Sequence, residues 1–224
     1  MAFSPLPKTF IDSLSHLNSA DSVVFELGSG QGHFRAQLQK QGCDCLGMDI
    51  RPPVAGMVCD VVGDARKVPL KPGSVSLLIA ANLVRHLVPR HRLGDYISQW
   101  RGLLKPGGSL VIFEDEPSQA TRQVRNFGDL QDFLAQLMPE SRGPLMPLKR
   151  FKELVDCDND GESWTFGIEH NQETINATEV VRFLAGGAGV PTGTVAGLIK
   201  SIGRDGLAPG KYWWAEIGPQ ESDQ

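Results

Sequence analysis

Short apolar runs alternate with amphipathic stretches along the first half of the chain. Val23 to Leu27 is an apolar run that ends at a glycine loop, the appearance of a buried parallel strand. Gln31 to Lys40 has helical spacing and stops at Gly42. Cys45 to Ile50 predicts a second strand and Gly56 to Val62 a third. Val75 to Ala80 predicts a fourth, introduced by the turn Lys71-Pro72-Gly73-Ser74. His91 to Leu104 predicts a helix with Leu93, Tyr96, Ile97 and Trp100 on one face; Pro106-Gly107-Gly108 follows, then a fifth strand from Ser109 to Phe113. Ahead of all this, Lys8 to Asn18 carries Phe10, Ile11, Leu14 and Leu17 at helical spacing.

Strands and helices alternating at these intervals predict a parallel sheet built from right-handed crossovers. Beyond Glu114 the pattern predicts helices at Gln119 to Leu137 and Pro147 to Val155, and strands at Ser163 to His170 and Lys211 to Ile217. Between those two strands lie two further helical stretches, Ala177 to Leu184 and Thr192 to Ile202, separated by Gly186-Gly187-Ala188-Gly189.

Composition narrows the setting. The chain has 224 residues, 41% hydrophobic and 21% charged, which suits one domain with a modest elaboration. A net charge of -4 argues against a nucleic-acid partner. No apolar run approaches the ~20 residues of a membrane span, and Met1 to Pro7 lacks a charged region followed by an apolar one. A cytoplasmic location is the expectation. Cys43 and Cys45 lie two apart on a strand, a spacing unlike zinc pairs, and read as free buried thiols; no metal site is expected.

The densest chemistry is Glu26-Leu27-Gly28-Ser29-Gly30-Gln31-Gly32, at the end of the first strand. Glycines there let the backbone approach a ligand closely and turn into the next helix. A dinucleotide fingerprint would need glycine at position 33, where His33 stands. The carboxylate of Glu26 would repel a pyrophosphate and welcome an amine. Asp49 closes the second strand, placed to accept ribose hydroxyls, or else to cap the next turn. Asp64, in Gly63-Asp64-Ala65, is placed either to accept an adenine amino group or to cap a helix.

With these residues in place, the chain resembles class I S-adenosylmethionine-dependent methyltransferases, and within them the small methyltransferases of the ubiquinone- and menaquinone-biosynthesis type. The matching segments are VVFELGSGQG (23–32), LGMDI (46–50), GDARKVPL (63–70), VSLLIAANLVRHL (75–87) and LLKPGGSLVIF (103–113), in the family's order. The resemblance implies a Rossmann-like, mostly parallel seven-stranded sheet with helices on both faces and an antiparallel final strand. It implies S-adenosylmethionine as cofactor, with Glu26, Gly28, Ser29, Gly30 and Gly32 around its methionine end. Asp49 would hold the ribose, Ile50, Asp64 and Ala65 the adenine, and Asn82 would line the methionine arm and acceptor pocket.

Methyl transfer from a sulfonium is an in-line displacement, so the protein mainly positions the acceptor and excludes water. His86 is the candidate base or acceptor-positioning group. Relatives often carry two adjacent histidines there; Arg85 replaces the first, and packing beneath the cofactor is the other reading of His86. His33 faces the site or caps its helix. Glu114-Asp115-Glu116 reads as a solvated acidic loop in preference to a site for an amine or a metal. Arg122, Arg125, Arg142, Lys149 and Arg150 read as a solvated face that could also steer an anionic acceptor.

Trp213 and Trp214, with Trp164 and Phe166, read as a hydrophobic sheet edge. The domain is expected over residues 1–218, with a disordered tail at 219–224. Its helical insertion, 170–210, departs from the family's usual terminal hairpin and is expected to serve as a lid or a homodimer contact. The function implied is methyl transfer to a small-molecule acceptor. The alternatives are an RNA or protein methyltransferase, a non-catalytic cofactor-binding scaffold or regulatory paralogue, and a nicotinamide-dependent enzyme, which His33 and Glu26 disfavour.

Overall fold

A computed structural model describes residues 22–30, 32–52, 60–139, 143–157, 163–170, 175–178, 180–181 and 192–218, the side chains of 33 and 192–194 excepted. The helix expected at Lys8 to Asn18, the glycine stretch at 186–189 and the tail at 219–224 lie outside these residues.

Seven strands form one sheet: β1 (Val24–Leu27), β2 (Cys45–Asp49), β3 (Val61–Val62), β4 (Val75–Ala81), β5 (Leu104–Glu116), β6 (Trp164–His170) and β7 (Lys211–Ile217). Their order is β3-β2-β1-β4-β5-β7-β6. β1 pairs in parallel with β2 on one side and β4 on the other, β4 pairs in parallel with β5, and β7 runs antiparallel to both β5 and β6. The chain thus winds outward in opposite directions from β1 and β4. Their carboxyl ends border the crevice where open α/β sheets bind ligands.

Helices with described bounds flank the sheet: α1 (His33–Lys40), α2 (Leu93–Arg101), α3 (Arg122–Leu137), α4 (Leu148–Val155) and α5 (Thr192–Asp205). One face of the sheet, through Phe25, Leu27, Leu78, Ile112 and Trp213, packs against Trp100 of α2 and Phe151 of α4. The other, through Val24, Leu77, Ile79, Val111 and Phe113, packs against Phe34 and Leu38 of α1. This is the expected two-sided α/β layering. Among the described residues no helix is long and apolar enough to cross a membrane.

Three boundaries differ from the sequence reading. α2 starts only after a short 3-10 turn at Arg90–Arg92 and ends at Arg101, so Leu104 belongs to β5. Only Val61–Val62 of the third strand is described. β5 runs to Glu116 where it was expected to stop at Phe113, because β7 pairs with it residue for residue from Leu110 to Glu116. That partner comes from about a hundred residues further along, and no local pattern announces it.

The tryptophans fall on opposite faces of β7, as alternation requires. Trp213 is fully buried, 4.8 Å from the Phe151 ring, and its Nε1 donates to the Met146 carbonyl at 2.7 Å. Trp214 packs against the other core, and Trp164 stacks on Phe166.

The insertion before β7 is docked on the domain through α5. Val195 and Ile202 of α5 and Leu207 share a separate core with Phe127, Leu130 and Leu134 of α3. Buried Asn126 ties the two helices together: its Nδ2 donates to the Gly206 carbonyl at 2.9 Å, and its Oδ1 accepts from Ser201 Oγ at 2.7 Å. Asn126→Ala would strand both partners. It should cost about 2 kcal/mol, a fall in melting temperature of roughly 4–8 °C, with hydrogen exchange accelerating in 195–207 ahead of the sheet. Thermal melts and exchange mass spectrometry check this.

Candidate functional site

The loop leaving β1 is shaped by three glycines in the left-handed region, Gly28 (φ 67), Gly30 (φ 52) and Gly32 (φ 72). At Gly28 a side chain is excluded twice, since a Cβ would also stand 2.7 Å from Leu83 Cδ1. Ser29 N donates to the Met48 carbonyl at 2.9 Å and Gly32 N to the Ser29 carbonyl at 2.7 Å, holding the loop against β2 and turning it into α1. Gly30 N donates to Asp49 Oδ2 at 2.8 Å. The other Asp49 oxygen accepts from Arg51 N at 2.9 Å. Glu26, Gly28, Ser29, Gly30, Gly32 and Asp49, all picked from the sequence, are therefore contiguous in space.

Beneath this loop Glu26 is 2% exposed. Among the described residues its Oε2 has no hydrogen-bond partner, and the hydroxyl of buried Ser29 likewise has none. Burial pushes the Glu26 carboxyl from the ordinary 4.5 up to about 8, against the opposing pull of the Arg35 charge and backbone N–H. Arg35 is itself held by Asp60 at 2.5 Å. A buried acid with an unpaired oxygen below a glycine loop suits a ligand carrying an ammonium group. The side chain of His33 lies outside the described residues.

Asp64 and Ala65 lie beyond β3, and Ile50, 60% exposed, beyond β2. Ala65 is buried, its carbonyl accepting from Trp100 Nε1 at 2.7 Å, which fixes α2 over this segment. Asp64 is already engaged by Arg66: Nη2 donates to Oδ2 at 2.7 Å, Nε to Oδ1 at 3.0 Å and the backbone N to Oδ1 at 2.9 Å. The hydrogen bonds from Arg66 hold its carboxyl below the usual range. Any adenine amino group would share Asp64 with Arg66. The capping alternative takes the form of a turn, since no helix begins there. A cleft of about 360 Å³ opens beside Arg66, walled by Val88, Arg92 and Tyr96.

The carboxyl ends of β4 and β5 correct the sequence reading most. Glu114 and Asp115 are not a solvated loop: they lie in β5 with side chains 0% and 7% exposed, against Arg85 at 3%. Glu114 Oε1 accepts from Arg85 N at 3.1 Å, and the Arg85 guanidinium stands 3.7 Å from Glu114 and 3.4 Å from Asp115. Burial pushes the Glu114 carboxyl up to about 7 and Asp115 upward as well, Arg85 pulling both back. Glu116 Oε2 caps α4 by accepting from Leu148 N at 2.9 Å. Asn82 has φ 51, and its Oδ1 accepts from Asp115 N at 3.2 Å. His86 Nε2 faces Arg85 Nε at 3.2 Å and its Nδ1 faces Gly143 N at 3.4 Å, so both ring nitrogens stand against donors of the chain itself.

Sequence reasoning thus singled out His86, Arg85 and the acids Glu114 and Asp115, but read the acids as solvated where they are buried against Arg85. The one available signal was arginine in place of a histidine at position 85. Three of the basic residues beyond β5 meet partners in the chain, Arg122 with Asp205, Arg125 with the Gln119 carbonyl and Arg150 with Glu153, while Arg142 lies outside the described residues.

The chain was compared with known proteins on this basis. Residues 25–112 match the family model described as a methyltransferase domain. Over 118 residues the chain is 31% identical to a malonyl-[acyl-carrier protein] O-methyltransferase of Methylococcus capsulatus, covering 47% of this chain and 42% of that protein. Over 128 residues it is 27% identical to the biotin biosynthesis bifunctional protein BioHC of Cellvibrio japonicus, covering 50% and 24%. The chain spans between about a quarter and a half of the length of the curated relatives it matches.

Among solved structures, the fold is shared with a SAM-dependent methyltransferase from Archaeoglobus fulgidus (TM-score 0.55, 18% identity, covering 94% and 93% of the two chains). It is also shared with the YcgJ protein from Bacillus subtilis (TM-score 0.60, 12% identity, covering 96% and 97%). Residues 25–112 thus match a methyltransferase-domain family model, and the sheet order is that of a fold shared with solved methyltransferase structures.

Proposed function

We propose that the protein transfers the methyl group of S-adenosylmethionine to a small-molecule acceptor. The observation that carries this reading is the buried, unpaired Glu26 oxygen beneath a loop of three left-handed glycines, inside the segment that matches the methyltransferase family. When bound, S-adenosylmethionine would supply an already activated methyl group on a sulfonium. Glu26 would take the ligand ammonium, while Gly28, Ser29, Gly30 and Gly32 would let the backbone approach its methionine end. Asp49 would accept from the ribose hydroxyls, with Ile50, Asp64 and Ala65 beside the adenine. Asn82 and His86 follow β4 at the same edge and would orient the acceptor. With both ring nitrogens against donors of the chain, His86 is better placed to orient than to take a proton.

A small-molecule acceptor is favoured over RNA by the net charge of -4 and by the local ion pairing of Arg122 and Arg150 after β5. The relative named for a malonyl-[acyl-carrier protein] substrate is compatible with this class. A radiolabelled methyl-transfer assay against metabolite, RNA and protein fractions should label the metabolite fraction; label confined to RNA or protein would reject that acceptor class.

Calorimetry should detect S-adenosylmethionine and S-adenosylhomocysteine and no tight binding of NAD. Asp49→Ala should weaken both nucleosides by about tenfold, the equivalent of one charge-assisted hydrogen bond, near 1.4 kcal/mol.

Glu26 gives the binding a pH signature. Its carboxyl, raised to about 8, is mostly protonated at neutral pH in the ligand-free protein, and the ligand ammonium would favour the ionised form. Binding at pH 7 should therefore release close to one proton, read by titration in buffers of different ionisation enthalpy, with the release fading above pH 9. The unfolded chain ionises Glu26 near 4.5, so the ligand-free fold loses this contribution to stability as pH rises from there through about 8. Glu26→Gln should abolish the proton release, weaken binding and flatten that decline in melting temperature.

A further inference from the structure

Asn82 is one of two non-glycine residues among those described with a left-handed backbone. Such a conformation costs on the order of 1 kcal/mol or more and persists only where neighbouring contacts impose it. Here they come from the end of β5. Asn82 N donates to the Phe113 carbonyl at 2.8 Å, and its Oδ1 accepts from Asp115 N at 3.2 Å. Glu114 Oε1 accepts from Arg85 N at 3.1 Å, with the Val84 backbone N–H also directed at that carboxyl. Arg85 in turn stands between both acids and His86.

The cluster brings two carboxyls against one guanidinium into the interior, where desolvation offsets much of their attraction and the arrangement adds little to stability. What it bears on lies one residue away. Leu83, between Asn82 and Val84, packs directly on the first glycine of the loop, its Cδ1 filling the space a Cβ of Gly28 would occupy. The contacts therefore run unbroken from Glu114 through the Arg85 backbone and Leu83 to Gly28.

We infer that Glu114 is a positioning residue: from inside the fold it fixes the turn 82–86 and, through Leu83, sets the conformation of the glycine loop. The local order is a property of the chain itself; only the step from loop order to ligand affinity rests on the proposed function.

The test uses the full chain and compares Glu114→Ala with Glu114→Gln, which keeps an oxygen for Arg85 N, and with Leu83→Ala. Amide exchange should rise at least fivefold at Arg85 and at Gly28 and Gly30 in Glu114→Ala, and stay near the parent level in Glu114→Gln. Leu83→Ala should loosen Gly28 and Gly30 while leaving Arg85 protected. S-adenosylhomocysteine affinity should fall at least fivefold in Glu114→Ala. The double variant with Leu83→Ala should be no more than twofold weaker than the worse single one, since both interrupt one path.

Should Glu114→Ala fail to fold, Glu114→Asp, which keeps the charge and withdraws the oxygen, should raise exchange about threefold at the same amides. A lower melting temperature with exchange at Gly28 and Gly30 and ligand affinity unchanged would overturn the inference. So would multiplicative losses in the double variant. Exchange responding as expected in a protein that binds no S-adenosylhomocysteine would leave the positioning role standing and reject the proposed function.

Discussion

Parallel pairing of β1 with β2 on one side and β4 on the other is the constraint on which the rest of the molecule depends. It forces the connections leaving β1 and β4 to opposite faces and leaves a gap at their carboxyl ends. Everything of chemical interest gathers there because the strands deliver it: Glu26 and the glycines from β1, Asp49 from β2, Asn82 and Arg85 after β4, Glu114 and Asp115 at the end of β5. Leu83 reaches from the loop after β4 to Gly28 in the loop after β1, so the two loops meet in one packed contact.

The acids at this edge illustrate two uses of burial. Each pKa unit of upward shift corresponds to about 1.4 kcal/mol favouring the protonated form. Glu26 keeps an oxygen without a partner and lies under a loop open to a ligand. Glu114 also leaves Oε2 without a hydrogen bond, but that oxygen stands 3.7 Å from the Arg85 guanidinium, and Oε1 accepts from Arg85 N. One acid fits recognition of something outside the protein, and the other fits internal alignment. Burial alone does not tell them apart; the identity of the partner does.

The first five strands, the two-sided layering and the glycine loop were legible because their signals are local: apolar runs of strand length, glycines at a fixed spacing, acids at strand ends. Opposite-face placement of Trp213 and Trp214 followed from alternation alone. What escaped depends on contacts distant in sequence. Three acids after an apolar run look like a loop until β7, nearly a hundred residues later, extends the strand beneath them. Asp64 could be placed at a strand end, but its engagement by Arg66 follows from a turn geometry with no sequence signature. Helical stretches between β6 and β7 were legible too; their docking on α3 through Asn126 was not, since an asparagine in an amphipathic helix says nothing of the partner it will meet.

The position of β7 carries a consequence for assembly. It is the last of the described strands in sequence, yet it stands between β5 and β6. Until it is inserted, β6 has no hydrogen-bonded neighbour and β5 presents an open edge. Forty residues of chain separate β6 from β7, and of these α5 docks on α3. A nascent or partly unfolded chain therefore displays two unsatisfied strand edges flanked by the aromatic surface meant for Trp213. The strand that closes this side of the sheet is also the one whose delay leaves both of its neighbours open to pairing with another copy of the chain.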